Sequence, residues 1–175
     1  MDWNANLMQR VPEFATRTVM LDAFDLTLLD LLQQDDGRTA DSLAADVHLS
    51  PSAIARRVRR LRTNGWIART LALLSPRLTS RRLRAIVLVQ LSEHTDRAGK
   101  QALLDRILSI RQIQFCYEIT GNFDLILMFD CADMQEFTKM AEAVLVPEPI
   151  VQRYETSFVR CEHKFAPYVP LGEAA

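Results

Sequence analysis

Between Ser50 and Arg84 the chain has no aspartate, glutamate or lysine, although its net charge at pH 7 is only −1. Other absences narrow the chemistry. Five glycines in 175 residues leave little material for a phosphate-cradling loop, and no such motif is present. Three cysteines, at 116, 131 and 161, are odd in number and widely spaced, which argues against a disulfide framework or a zinc site and for small buried hydrophobes. His48, His94 and His163 are scattered and have no sequence partner that suggests metal binding or nucleophilic catalysis, so no cofactor and no metal are expected. No apolar run approaches membrane-spanning length, and the first residues lack the basic-then-apolar pattern of a signal peptide. A cytoplasmic location away from membranes is the expectation.

What is present divides in two. The length suits one domain or two small ones with proper cores. Residues 21–84 hold eleven arginines against seven aspartates, whereas residues 85–175 hold thirteen acids against eight bases. The first part should meet a polyanion and the second something else.

The basic part centres on the stretch from Ser50 to Gly65. Ser50 is a helix N-cap, Pro51 suits the first helical position, and Asn64-Gly65 supplies a left-handed C-terminal residue. At 3.6 residues per turn, Ile54, Val58 and Leu61 form a core stripe, with Ser52, Arg56, Arg59 and Arg60 on the opposite side. Solvated helix faces normally interleave both signs of charge, and this one does not. Small residues near the helix start permit close approach to a base edge, and arginine offers a planar fork for phosphate and guanine. Ser50, Ser52, Arg56, Arg57, Arg59 and Arg60 are therefore the DNA-binding candidates. This reading requires that the guanidiniums not be turned inward or held by carboxylates.

Around that helix the periodicity predicts an α+β chain. Asp22 caps a helix carrying Leu28, Leu31 and Leu32, which ends near Asp35-Asp36-Gly37; Thr39 caps a second with Leu43, Ala44 and Val47; and a turn at His48-Leu49 leads into Ser50. That is helix-turn-helix spacing, and Trp66 to Leu74 reads as a wing or hinge strand. Beyond it come strand Ala85–Leu91, a helix capped by Thr95 or Asp96, a hairpin of residues 113–119 and 125–129 joined at Gly121-Asn122-Phe123-Asp124, a helix capped by Asp133, and strand Ile150–Val159. The order β-α-β-β-α-β gives a ferredoxin-like sandwich with one sheet face left for a partner subunit. The expected domains are an arm (1–20), a helix-turn-helix (21–74), a linker (75–84) and a ferredoxin-like dimerisation domain (85–175).

These residues resemble the Lrp/AsnC, or feast/famine, family of transcriptional regulators from Leu21 to Leu171. Leu21-Asp22 with Asp25, Gly37-Arg38, Leu43-Ala44, Leu49-Ser50, Arg57-Val58 with Leu61, Gly65 with Ile67, Gly121-Asn122-Phe123-Asp124 and Lys164 carry the likeness. The resemblance implies a winged helix-turn-helix that binds a palindromic operator in double-stranded DNA as a homodimer, often assembled into octamers. It further implies that the C-terminal domain senses a small-molecule effector, frequently an amino acid, at a subunit interface, with Gly121, Asn122 and Asp124 on the effector side. His48 replaces a glycine usual in the family's turn, and a linker glycine is missing between Ser80 and Arg84.

Two rivals share the plan. A siroheme-decarboxylase-like enzyme would need histidines or arginines converging on a tetrapyrrole pocket and would have no use for an acid-free helix face. A ligand-sensing protein with a vestigial helix-turn-helix would not bind DNA. A non-enzymatic regulator fits the residues better than either.

Overall fold

The computed structural model describes residues 20–92 and 97–171. Most of the expected arm, His94 and the two cap candidates Thr95 and Asp96 lie outside them. Among the described residues, contacts gather into one unit of residues 20–73 with 164–171, and another of residues 74–163.

The first unit is built on α1 (Ala23–Gln34), α2 (Ala40–Val47) and α3 (Pro51–Thr63). Each starts where a short polar side chain replaces a missing backbone partner. Asp22 and Asp25 form a reciprocal capping box, Thr39 Oγ1 accepts from the Ser42 N–H, and Ser50 Oγ accepts from the Ala53 N–H. His48 ends α2 in the left-handed region at φ 55°. At the end of α3 it is Gly65, φ 76°, that turns left-handed, while Asn64 does not. Leu28, Leu32, Leu43, Val47, Ile54 and Leu61 meet as the core, each contributing about 2 kcal/mol by leaving water.

The segment after Gly65 differs from expectation, because residues 66–75 form no strand. An extended chain needs a neighbouring strand to complete a hydrogen-bond ladder, and no described strand lies beside this segment in a ladder. The C-terminal tail also differs. Residues 164–171 belong to the helical unit, where the Gln33 side-chain amide donates to the Val169 carbonyl (2.6 Å) and accepts from the Val169 N–H (2.9 Å). Lys164 accordingly lies beyond the last strand rather than ending it.

The second unit begins with the single turn α4 (Pro76–Thr79) and continues β1 (Leu83–Leu91), α5 (Arg97–Ser109), β2 (Ile113–Glu118), β3 (Leu125–Cys131), α6 (Met134–Leu145) and β4 (Val151–Phe158). The sheet order is β2-β3-β1-β4 and every pairing is antiparallel, the ferredoxin-like arrangement. Ala85, Val87, Val89, Leu125, Leu127 and Phe129 are buried on one face with Leu103 and Ile107 of α5 and Phe137, Ala141 and Val144 of α6. Burial alternates along β1, so Ile86 and Leu88 on its other face are only half-buried.

A bulge between Ile113 and Phe115 shifts β2 against β3. Ile113 and Cys116 thereby pack on the helix-covered core, while Phe115 and Tyr117 stack on the opposite face at 5.0 Å, with Tyr117 60% exposed. Of the cysteines expected to be buried, Cys131 is buried, Cys116 half-buried and Cys161 exposed. Burial, with help from Glu118, pushes the Cys116 thiol up to about 11.

Candidate nucleic-acid interface and effector-side turn

The register of α3 follows from its cap and its core stripe. With Ile54 and Leu61 buried, Ser52, Ala55, Arg56, Arg59 and Arg60 are exposed. Ser50 Oγ lies 3.2 Å from Ser52 Oγ, so the two small residues sit together at the helix start.

The arginines do not behave alike. Arg56 and Arg59 have no hydrogen-bond or ion-pair partner among the described residues. Arg57 Nη1 donates to Asp22 (2.7 Å) and Asp25 (2.9 Å), Arg60 Nη2 donates to Asp25 (2.6 Å), and Arg62 Nη2 donates to Asp36 (2.7 Å), which also accepts from Thr70. Arg57 stacks over the Phe24 ring as well, 5.5 Å from its centroid. The expectation that no carboxylate engages this face is therefore corrected for three of the five arginines on α3. The acids are absent from the local sequence but arrive from α1 and from the α1–α2 turn. Arg59 and Arg62 also border a shallow cleft with Asp36 and Arg38, floored by Leu43 and Ile54.

Asp25 has a side chain only 1% exposed, yet both of its oxygens are occupied by hydrogen bonds. At Asp22 slight burial favours the neutral acid, but the hydrogen bond from the Asp25 N–H and the charges of Arg57 and Arg60 outweigh it and hold the carboxyl below its ordinary range. Hydrogen bonds to Asp22 and Asp25 raise the Arg57 guanidinium above its usual value.

In the other unit Gly121 adopts φ 128°, a conformation open to glycine, and Asn122 is exposed. Asp124 is held at three points: its Oδ2 accepts from the Leu91 N–H (2.7 Å), its N–H donates to the Val89 carbonyl (2.9 Å), and its carbonyl accepts from the Ile119 N–H (2.9 Å). Its carboxylate thus bolts the hairpin turn to the end of β1. Sequence reasoning missed Arg153, whose guanidinium lies 5.0 Å from the Phe123 ring centroid while Nε donates to Gln90. A lone arginine in an alternating strand gives no warning of that placement. It also missed Asp130, a buried carboxylate on β3 that receives Arg82, Arg84 and Gln114.

Residues 21–68 match the winged helix-turn-helix DNA-binding family and residues 84–169 the Lrp/AsnC ligand binding domain. The chain is 32% identical over 159 residues to the leucine-responsive regulatory protein of Haemophilus influenzae, covering 89% of this chain and 93% of that one. It is 28% identical over 155 residues to the transcriptional regulator AzlB of Bacillus subtilis, covering 89% and 98%. Among solved structures it is similar to a Neisseria meningitidis transcriptional regulator in complex with L-Met (TM-score 0.78, 28% identity, 87% and 97% coverage). It shares its fold with Escherichia coli AsnC (TM-score 0.70, 18% identity, 83% and 96% coverage). A capped basic helix in a three-helix unit, an antiparallel four-stranded sandwich and this near full-length likeness have one common explanation: the chain belongs to the Lrp/AsnC family of DNA-binding transcriptional regulators.

Proposed function

We propose that the protein binds a palindromic operator as a homodimer, laying α3 along the major groove, and that an amino acid or a related metabolite bound at its C-terminal domain sets its affinity or assembly. The observation that carries the DNA half is the exposed row of Ser52, Arg56 and Arg59 on a helix fixed by the Ser50 cap. Major-groove reading needs small residues where the helix approaches the bases and cations where it passes the phosphates, and this row has that order. Of the six residues expected at DNA, these three are placed against the duplex, with Ser50 as the cap beside them.

The effector half is supported by the ligand-binding family match and by the L-Met bound to the Neisseria relative. Gly121 and Asn122 are the ligand-facing candidates, with Asp124 holding their turn in shape. A subunit interface is the natural place for such a site, because the turn is exposed and lies at an end of the sheet. Cytoplasmic location and the absence of catalysis belong to the same reading, and both family matches favour it over the decarboxylase plan.

Fluorescence anisotropy with duplex DNA tests the first half. Affinity should fall steeply with salt, with about one unit of log–log slope for each phosphate contacted. Replacing Arg56 and Arg59 together by alanine should remove about two units; an unchanged slope would refute the placement. For the second half, thermal shift against a panel of amino acids should show stabilisation by at least one member at concentrations well above its dissociation constant. No shift across the panel would count against amino-acid sensing.

A further inference from the structure

The family assignment does not explain why the most deeply buried charge of the helical unit sits beneath its recognition helix. Asp25 lies on the first turn of α1 with a side chain 1% exposed, and its Oδ1 and Oδ2 face α3. Burying a carboxylate is costly unless its lone pairs are filled, and here they are filled by Arg57 at 2.9 Å, Arg60 at 2.6 Å and the Asp22 N–H at 3.3 Å. Asp22 takes a further bond from Arg57. The four side chains make a neutral tetrad of two aspartates and two arginines.

The consequence for DNA lies in geometry. Arg60 follows Arg56 by one helical turn, so its Cα belongs to the outward row, yet its guanidinium is drawn back to α1. Arg57 is drawn the same way and is further fixed over Phe24. With Arg62 held by Asp36, the helix offers two unengaged guanidiniums, on Arg56 and Arg59, out of five. We propose that Asp25 is a specificity-determining positioning residue, which holds the heads of Arg57 and Arg60 off the duplex so that Ser52, Arg56 and Arg59 alone face it. Five free cations would bind any duplex tightly, because phosphate contacts carry no sequence information. Withholding two lowers non-specific affinity while the base-reading row stays in place.

This inference rests on the DNA-binding assignment, and its test separates the two. Anisotropy titrations over a range of salt use the full-length protein, a short duplex of random sequence, and a duplex selected from a random pool by the wild-type protein. If the wild type binds neither, the DNA-binding assignment itself fails. If it binds, Arg60→Met, which keeps the apolar stem and leaves Arg57 on Asp25, should leave the salt slope unchanged. Arg56→Ala should lower it by about one unit. Asp25→Asn, checked for folding by circular dichroism, removes the charge that holds Arg60, while Arg57 keeps its bond to Asp22. It should steepen the slope by about one unit and tighten random-duplex binding by about eightfold at 0.1 M salt, narrowing the ratio between selected and random DNA. A purely architectural role predicts lower melting temperature with slope and ratio untouched. A folded Asp25→Asn protein with wild-type slope, or an Arg60→Met protein that loses slope as Arg56→Ala does, overturns the proposal. If Asp25→Asn does not fold, the Arg60→Met comparison decides it.

Discussion

Among the residues with positive φ, His48 and Gly121 hold that backbone for different reasons, and replacing them should have opposite effects. His48 sits at φ 55°, ψ 37° after α2, where a side chain crowds the following carbonyl and glycine does not. His48→Gly should therefore raise the melting temperature of the helical unit, by about 0.5–1 kcal/mol of stability. Gly121 sits at φ 128° with open space where a Cβ would project, so Gly121→Ala meets no clash but does meet backbone strain. That should cost about 1–3 kcal/mol, measurable by chemical denaturation. Charge offers a third test at this scale. Asp22 is held below its ordinary value near 3.8 in the fold, so its ion-pair contribution is complete above that value and drains away as the pH falls through the lower folded one. Asp22→Asn keeps the cap acceptor but loses the charge. At neutral pH it should melt earlier by an amount worth under about 1 kcal/mol, since the pair is half exposed. Wild type and variant should converge in acid.

At the scale of elements, local chemistry was legible and pairing at a distance was not. Asp22, Thr39, Ser50 and Asp133 each cap the helix that their sequence position suggested, because a cap depends only on the next three residues. The hairpin at Gly121 and the six-element order were legible for the same reason. The β2 bulge was hidden, because alternation in residues 113–119 specifies a period but not the residue at which the ladder slips. The acids beneath α3 were hidden too: Asp22 and Asp25 lie more than thirty positions away from Arg57 and Arg60 and read as solvated first-turn residues. The tail belongs to this class, since nothing in Pro167–Pro170 announces Gln33 as a partner. A pair of amide hydrogen bonds to Val169 is worth about 1–3 kcal/mol together. Gln33→Ala should accordingly lower the melting temperature of the helical unit, and hydrogen exchange at the Val169 amide should quicken.

At the scale of the whole molecule, the remaining issue is the sheet face that no described helix covers. Ile86 and Leu88 of β1, Ile126 and Met128 of β3, and Phe115 and Tyr117 of β2 alternate away from the α5–α6 core and line up across the register Tyr117–Ile126–Leu88. A contiguous apolar face of this kind marks an interface. The palindromic operator proposed above would require a two-fold axis, so a second copy of the same face would satisfy both demands. Charge supports self-association through the middle of the face rather than its rim: Arg153 and Glu155 on edge strand β4 bear opposite signs and pair with each other, while the central strands carry aliphatic residues. Ile126→Asp places a carboxylate between Tyr117 and Leu88 without touching the buried core of Leu125 and Leu127. Each protomer should keep its helical content and the melting of its helical unit, while light scattering should show the proposed dimer reduced to monomer. Operator affinity should fall further than random-duplex affinity, because only specific binding needs both half-sites engaged at once. A variant that stays dimeric and retains full operator affinity would place the two-fold axis on another surface.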